Sequence, residues 1–193
     1  MDPIEHFKDL LTAARAVDPA LLPEPTAMSL ATVGADGQPS VRMVLLKGVD
    51  QRGFVFYTNF ESRKGRELLV NSRAALCFHW QPLQIQVRIE GSAERVSDEE
   101  ADAYFATRPR VSQLGAWASL QSATLSSDEE LDARVREVEE RFAGHEVPRP
   151  PHWSGFRVVP VRIEFWRHRA FRLHERRLFE RVDGEWRMRL LYP

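Results

Sequence analysis

Apolar positions recur at helical spacing over residues 3–17, where Ile4, Phe7, Leu10, Leu11 and Ala14 predict a short amphipathic helix. Pro19, Pro23 and Pro25 then force an extended connector. From Ala27 the period shortens to two. AMSLATV and PSVRMVLLKGV flank the turn GADGQ, whose Asp36-Gly37 suits positive φ, and predict a hairpin. DQRG (50–53) makes a second turn before the strand FVFYTNF. Three strands in succession predict an antiparallel meander rather than β-α-β winding.

SRKGRELLVN (62–71) reads as a short helix capped by Ser62, with Leu68 and Leu69 on its buried side. ALCFHW (75–80) and QIQVRIEGSAERV (84–96) are strands, the second alternating Ile85, Val87 and Ile89 with Gln86, Arg88 and Glu90. Ser97 and Glu100 form a capping box for a helix carrying Ala101, Tyr104 and Phe105, which should stop at Arg108, before Pro109. Ser127 and Glu130 repeat the box for a helix with the stripe Leu131, Val135, Val138 and Phe142. Its wet face offers the pairs Glu130–Arg134, Asp132–Arg136 and Glu137–Arg141, and Gly144 is a fitting stop. EVPRPPHW (146–153) is a connector; VRIEF follows as a strand, and FRLHERRLFERV pairs with EWRMRLLY across Asp183-Gly184. No repeat or internal boundary interrupts residues 1–193, which read as one domain: helix and connector over 1–24, barrel and helices over 25–193. The fold class is α+β, mainly β, a small antiparallel barrel with peripheral helices.

Composition narrows the function classes. At 43% hydrophobic and 10% aromatic, 193 residues supply a core and exclude a disordered chain. The single cysteine, Cys77, excludes a disulfide framework, and six scattered His leave no metal site expected. MDPIEHFKDL lacks a basic leader and no apolar run reaches a membrane span, so a cytoplasmic protein is expected. The net charge of -1 conceals an uneven spread: residues 149–193 hold 11 Arg against five acids. The acidic excess before them argues against nucleic acid as the partner.

Four places carry candidate chemistry. RMVLLK (42–47) is a strand with a cation at each end, as solubility alone also explains. Ser62-Arg63-Lys64 opens a helix with cations opposing the helix dipole, beside free N–H groups and a hydroxyl that suit a phosphate. Tyr104, Arg108, Ser112, Gln121 and Ser122 form a third group, equally consistent with ordinary surface. Arg172, His174 and Arg176 would share one face of a strand, crowded unless an anion lies among them. Together these fit a phosphorylated cofactor and a phosphorylated substrate better than hydrolysis.

With those residues assembled, the sequence resembles the pyridoxamine 5′-phosphate oxidase family from about Pro25 to the C-terminus. The resemblance rests on RMVLLK (42–47), FYTNFESRKGREL (56–68), QVRIEGSAERVS (86–97), YFATRPRVSQLGAWASLQS (104–122) and IEFWRHRAFRLHERRLFER (163–181). It implies an FMN-binding split β-barrel of Greek-key type and a homodimer with FMN at the interface. By position, Arg42, Arg63, Lys64, Gln121 and Ser122 would hold the FMN phosphate and ribityl end. Met43, Val44, Leu45, Leu46, Lys47, Tyr57, Thr58, Gln86, Trp166 and Arg176 would line the rest of the flavin. Lys47, Tyr104, Arg108 and Ser112 would bind the substrate phosphate, with Arg172 and His174 as catalytic residues at the pyridine end. The implied reaction oxidises pyridoxine or pyridoxamine 5′-phosphate to pyridoxal 5′-phosphate, with hydride passing from C4′ to flavin N5 and O₂ giving H₂O₂. Members often carry an N-terminal segment whose Arg and Tyr cover the substrate, and nothing in MDPIEHFKDL matches it. A phenazine-type flavin oxidase and a non-catalytic flavin-binding barrel are the competing readings.

Overall fold

The computed structural model describes all residues from Met1 to Pro193. Nine antiparallel strands make one sheet: β1 (Ala27–Val33), β2 (Pro39–Leu45), β3 (Gly48–Asp50), β4 (Gly53–Asn59), β5 (Arg73–Trp80), β6 (Ile85–Arg95), β7 (Trp153–Arg167), β8 (Glu175–Val182) and β9 (Glu185–Leu190). Their order is β2-β1-β5-β6-β7-β4-β3, with β8 and β9 added beside β7. The expected meander is therefore wrong in one connection. The β1–β2 hairpin forms, but FVFYTNF leaves it to pair with β7. The sheet curls enough that the Lys47 amide, just past β2, donates to the Val55 carbonyl of β4.

At 15 residues β7 serves three partners: its first half pairs with β4, its second with β8, and β6 runs alongside both. The register shift between Glu90 and Gly91 falls opposite Pro160, which has no N–H to give the ladder. A Cβ at Gly91 would lie 2.0 Å from the Val159 carbonyl oxygen, so only glycine fits there.

Helix α1 (Pro3–Arg15) forms as its periodicity predicts, with Asp2 accepting from the amides of Ile4 and Glu5. It fills the barrel: Phe7 is fully buried, with ring centroids 4.9 Å from Phe54 and 5.0 Å from Phe78. Trp80 Nε1 donates to the Pro25 carbonyl and ties the proline connector to the same core.

The helices depart from expectation more than the strands. Helix α2 (Arg63–Val70) has its Ser62 cap and buries Leu68, but Leu69 is exposed. Helix α3 (Asp98–Ala106) ends two residues before Arg108. Helix α4 (Arg110–Ala118) has no counterpart in the sequence reading. In α5 (Asp128–Arg141) the Ser127 side chain caps nothing; Glu130 instead accepts from the Ser126 amide. None of its expected ion pairs forms, because Arg134 donates to the Ala118 carbonyl and Arg141 lies over the Trp117 ring. Of its apolar stripe only Phe142 is buried, in a second cluster with Phe105, Leu114, Val147 and Trp153. That cluster welds the helical layer to the start of β7.

Candidate active site

A cavity of about 660 Å³ opens between the curled edge of the barrel and the helical layer. It gathers Met43, Val44, Leu45, Lys47, Tyr57, Thr58, Lys64, Tyr104, Arg108, Ser112 and Gln121, eleven of the expected residues. Leu46 is not among them: its side chain is buried in the barrel core.

The α2 end of the cavity is a cation cluster built on a tight turn. Ser62 Oγ donates to the Asn59 carbonyl and accepts from the Gly65 amide. Lys64 Nζ reaches Thr58 Oγ1 at 3.2 Å and Gln121 Oε1 at 3.1 Å, which joins β4, α2 and the loop after α4. Burial, and then the nearby Arg42, lower the Lys64 pKa.

Glu67 organises what lies behind. This buried carboxylate accepts from Thr32 Oγ1 (2.5 Å), Ser40 Oγ (2.7 Å), Arg63 Nε (2.8 Å) and Arg42 Nη2 (3.2 Å). Burial opposes its charge, but these four donors prevail and hold the pKa at about 2. Arg42 Nη1 also donates to the Leu30 carbonyl and Thr32 Oγ1, and Nη2 to Ser40 Oγ. Arg42 and Arg63 thus stand behind the cavity wall rather than lining it. Three cations against Glu67 leave two positive charges in excess.

The α3–α4 side differs in character. Tyr57 and Tyr104 stack at 4.0 Å, Trp153 stacks on Tyr57 at 5.3 Å, and the Arg108 guanidinium lies 4.6 Å above the Trp153 ring. Burial pushes the Tyr57 hydroxyl up to about 12 and lowers the Arg108 pKa. Arg108 Nη1 is buried with no hydrogen-bond partner. Ser112 sits in the first turn of α4, whose free amides favour an anion.

The remaining expected residues lie elsewhere. Gln86, Trp166 and Arg176 are direct cross-strand neighbours on β6, β7 and β8, so their side chains share a face. Glu164 holds Arg176 through Nε at 2.8 Å and Nη2 at 3.2 Å, and also binds Arg88. The expectation of one strand face for Arg172, His174 and Arg176 fails, because β8 begins only at Glu175. Phe171 and Arg172 take φ of 58° and 62° in a tight turn before it. The His174 ring packs 4.6 Å from Trp166, and its Nδ1 accepts from the Arg169 amide. Ser122, with φ 72°, is exposed outside the cavity. Tyr57 pairs with Gly155 at one end of β7 and Gln86 with Trp166 at the other. Eleven residue steps of β7, at most about 35 Å along the strand, lie between them. One chain therefore presents the expected residues as two separate half-sites, not as one closed site.

The family described as pyridoxamine 5′-phosphate oxidase matches residues 18–142, and a C-terminal dimerisation region of pyridoxine 5′-phosphate oxidase matches 153–193. The chain belongs to the pyridoxamine 5′-phosphate oxidase family. A pyridoxine/pyridoxamine 5′-phosphate oxidase of Myxococcus xanthus (strain DK1622) is 62% identical over 192 residues, covering 100% of this chain and 92% of that one. One from Azorhizobium caulinodans is 56% identical over 194 residues, covering 100% and 90%. Among solved structures, PhzG from Burkholderia lata 383, in complex with tetrahydrophenazine-1-carboxylic acid, has a TM-score of 0.92 at 34% identity, covering 100% of this chain and 93% of that one. A pyridoxamine 5′-phosphate oxidase-related, FMN binding protein from Nostoc punctiforme shares the fold at TM-score 0.78 and 17% identity, covering 100% and 99%. The split barrel of the oxidase family is thus the fold of this chain, and no helix is long and apolar enough to cross a membrane.

Around the cavity and the β6–β8 face, sequence reasoning missed Glu67, Glu164 and Trp153. Glu67 had a signal, since it stands four residues after Arg63 on one helix. Trp153 closed a proline connector and gave none.

Proposed function

We propose that the chain oxidises pyridoxine or pyridoxamine 5′-phosphate to pyridoxal 5′-phosphate, as a homodimer with FMN and O₂. The observation that carries the substrate reading is Arg108, a guanidinium with an unpartnered buried Nη1 in a cavity it shares with Lys47, Tyr104 and Ser112. A dianionic phosphate satisfies it. The second excess of charge, at Arg42, Arg63 and Lys64, fits the phosphate of FMN, with Thr58 and Gln121 beside it. Two phosphate-sized demands at separate walls match a phosphorylated cofactor and a phosphorylated substrate.

Bound FMN supplies a hydride acceptor at N5 and a route for the electron pair to O₂, giving H₂O₂. The protein's part is placement. Lys47, Arg108, Tyr104 and Ser112 would fix the substrate by its phosphate and so set the position of C4′ at the far end. Gln86, Trp166, Arg172, His174 and Arg176 would come from the second half-site of the partner subunit, which the dimerisation region supports. The Arg169 amide donates to His174 Nδ1, which leaves Nε2 as the ring's other hydrogen-bonding atom. Losing one charge-assisted phosphate contact costs about 1.5–3 kcal/mol, tenfold to a hundredfold in binding.

H₂O₂ release from pyridoxine 5′-phosphate, pyridoxamine 5′-phosphate, unphosphorylated pyridoxine and a tetrahydrophenazine carboxylic acid tests the reading. Turnover of the two phosphates with little of the others is expected. Equal turnover with and without phosphate overturns the substrate assignment. Turnover of the phenazine alone supports the other oxidase class.

A further inference from the structure

We propose that Trp153 is a positioning residue that holds Arg108 for the substrate phosphate, a role that rests on the substrate reading above. The arginines near the two half-sites are held in different ways. Arg42 and Arg63 share Glu67, and Arg176 rests on Glu164. Arg108 has aromatic rings instead: its guanidinium carbon lies 4.6 Å from the Trp153 centroid and 5.4 Å from that of Phe105.

The difference matters chemically. A carboxylate would neutralise Arg108 and occupy its donors. An indole face attracts the cation through its quadrupole and leaves the in-plane N–H groups free. Arg108, whose side chain helps line the cavity, accordingly keeps a buried Nη1 without a partner. Its support is rigid. Trp153 is 7% exposed, stacks within 5° on Tyr57 and packs edge-on against Phe105 at 5.1 Å. Its carbonyl accepts from Arg149 Nη1, and Arg149 is clamped by Asp98 and Asp102 of α3. The Tyr104 ring lies within 8° of the same plane, so one indole sets the attitude of two phosphate-side residues.

The test is calorimetric binding of 4-deoxypyridoxine 5′-phosphate and 4-deoxypyridoxine, which lack the oxidisable C4′ group, to the flavin-loaded dimer. In Trp153→Leu the phosphorylated analogue should bind about tenfold more weakly and the other within about twofold of wild type. The KM for pyridoxine 5′-phosphate should rise more than kcat falls. Trp153→Phe, which keeps an aromatic face, should show the same split at about threefold, and it serves alone if the leucine variant does not fold. Equal weakening of both analogues, or a phosphate preference that survives substitution, overturns the inference and leaves the substrate reading standing. A wild-type protein with no preference for the phosphorylated analogue overturns both.

Discussion

Glu67→Gln removes one negative charge and leaves a side chain of the same shape. Glu67 titrates at about 2 instead of its ordinary 4.5, because four donors outweigh its burial. By linkage, that difference is worth roughly 3 kcal/mol of stability at pH 7. Arg63 is 58% exposed and its share is screened, so about 2–3 kcal/mol is expected of the substitution. With its oxygen in the Oε2 position the amide still accepts from Thr32, Ser40 and Arg42, without the charge; its NH2 then meets Arg63 Nε, donor against donor, and that bond is lost. The sign with pH follows from the lowered pKa. The contribution is complete above the unfolded value near 4.5 and disappears as pH falls toward 2. By pH 3.5, protonation of the unfolded chain has removed roughly two-fifths of the gap. Urea unfolding of wild type and Glu67→Gln, both flavin-free and at one protomer concentration, measures the gap at each pH. A difference below about 0.5 kcal/mol at pH 7, or one that does not shrink in acid, would refute the reasoning.

Phe7→Ala should cost about 3–5 kcal/mol, because a fully buried ring in contact with Phe54 and Phe78 leaves a cavity that the closed sheet cannot collapse; thermal unfolding at fixed protomer concentration measures it, and a loss under 1 kcal/mol would place α1 outside the core. Gly65→Ala should loosen α2, since a Cβ there lies 2.4 Å from the Phe60 carbonyl oxygen; a fall in FMN affinity measured by fluorescence checks it, and an unchanged affinity would show that the turn can shift. Lys47→Ala and Arg172→Ala chains should each be weak alone, yet refolded together they should recover about a quarter of wild-type activity through hybrid dimers that rebuild one intact site in two. No recovery would mean that both residues serve a site within one chain.

What could be read from the sequence followed the range of the interactions. Period-two alternation placed β1, β5 and β6 within a few residues but caught only VRIEF of the 15-residue β7, and the α1 stripe named the side chains that fill the barrel. Partner choice was not local: nothing in FVFYTNF says that it skips β2 for a strand a hundred residues later. Helix α4 was missed because Gly115, Trp117 and the preceding Pro109 blur a nine-residue pattern. The expected pairs along α5 failed because tertiary acceptors, the Ala118 carbonyl and the Trp117 ring, outcompeted weak i,i+4 neighbours. At the site, the motifs supplied residue types, but only folding revealed which cations carry a carboxylate and which rest on indole. Arg172 and His174 were placed on a strand by alternation, and two consecutive left-handed residues put them in a turn instead.

Helix α1 precedes all nine strands in the chain, yet the aromatic rings that receive Phe7 include Phe54, Phe78 and Trp80. A helix of 13 residues is marginal by itself in water. Its apolar stripe therefore waits, unfolded or fraying, until β4 and β5 exist to accept it. Closing loops of that length before any reward places the fold among slow, non-local folders. Ile4, Phe7, Leu10 and Leu11 are therefore open to aggregation during synthesis, although all four are buried once the barrel has closed.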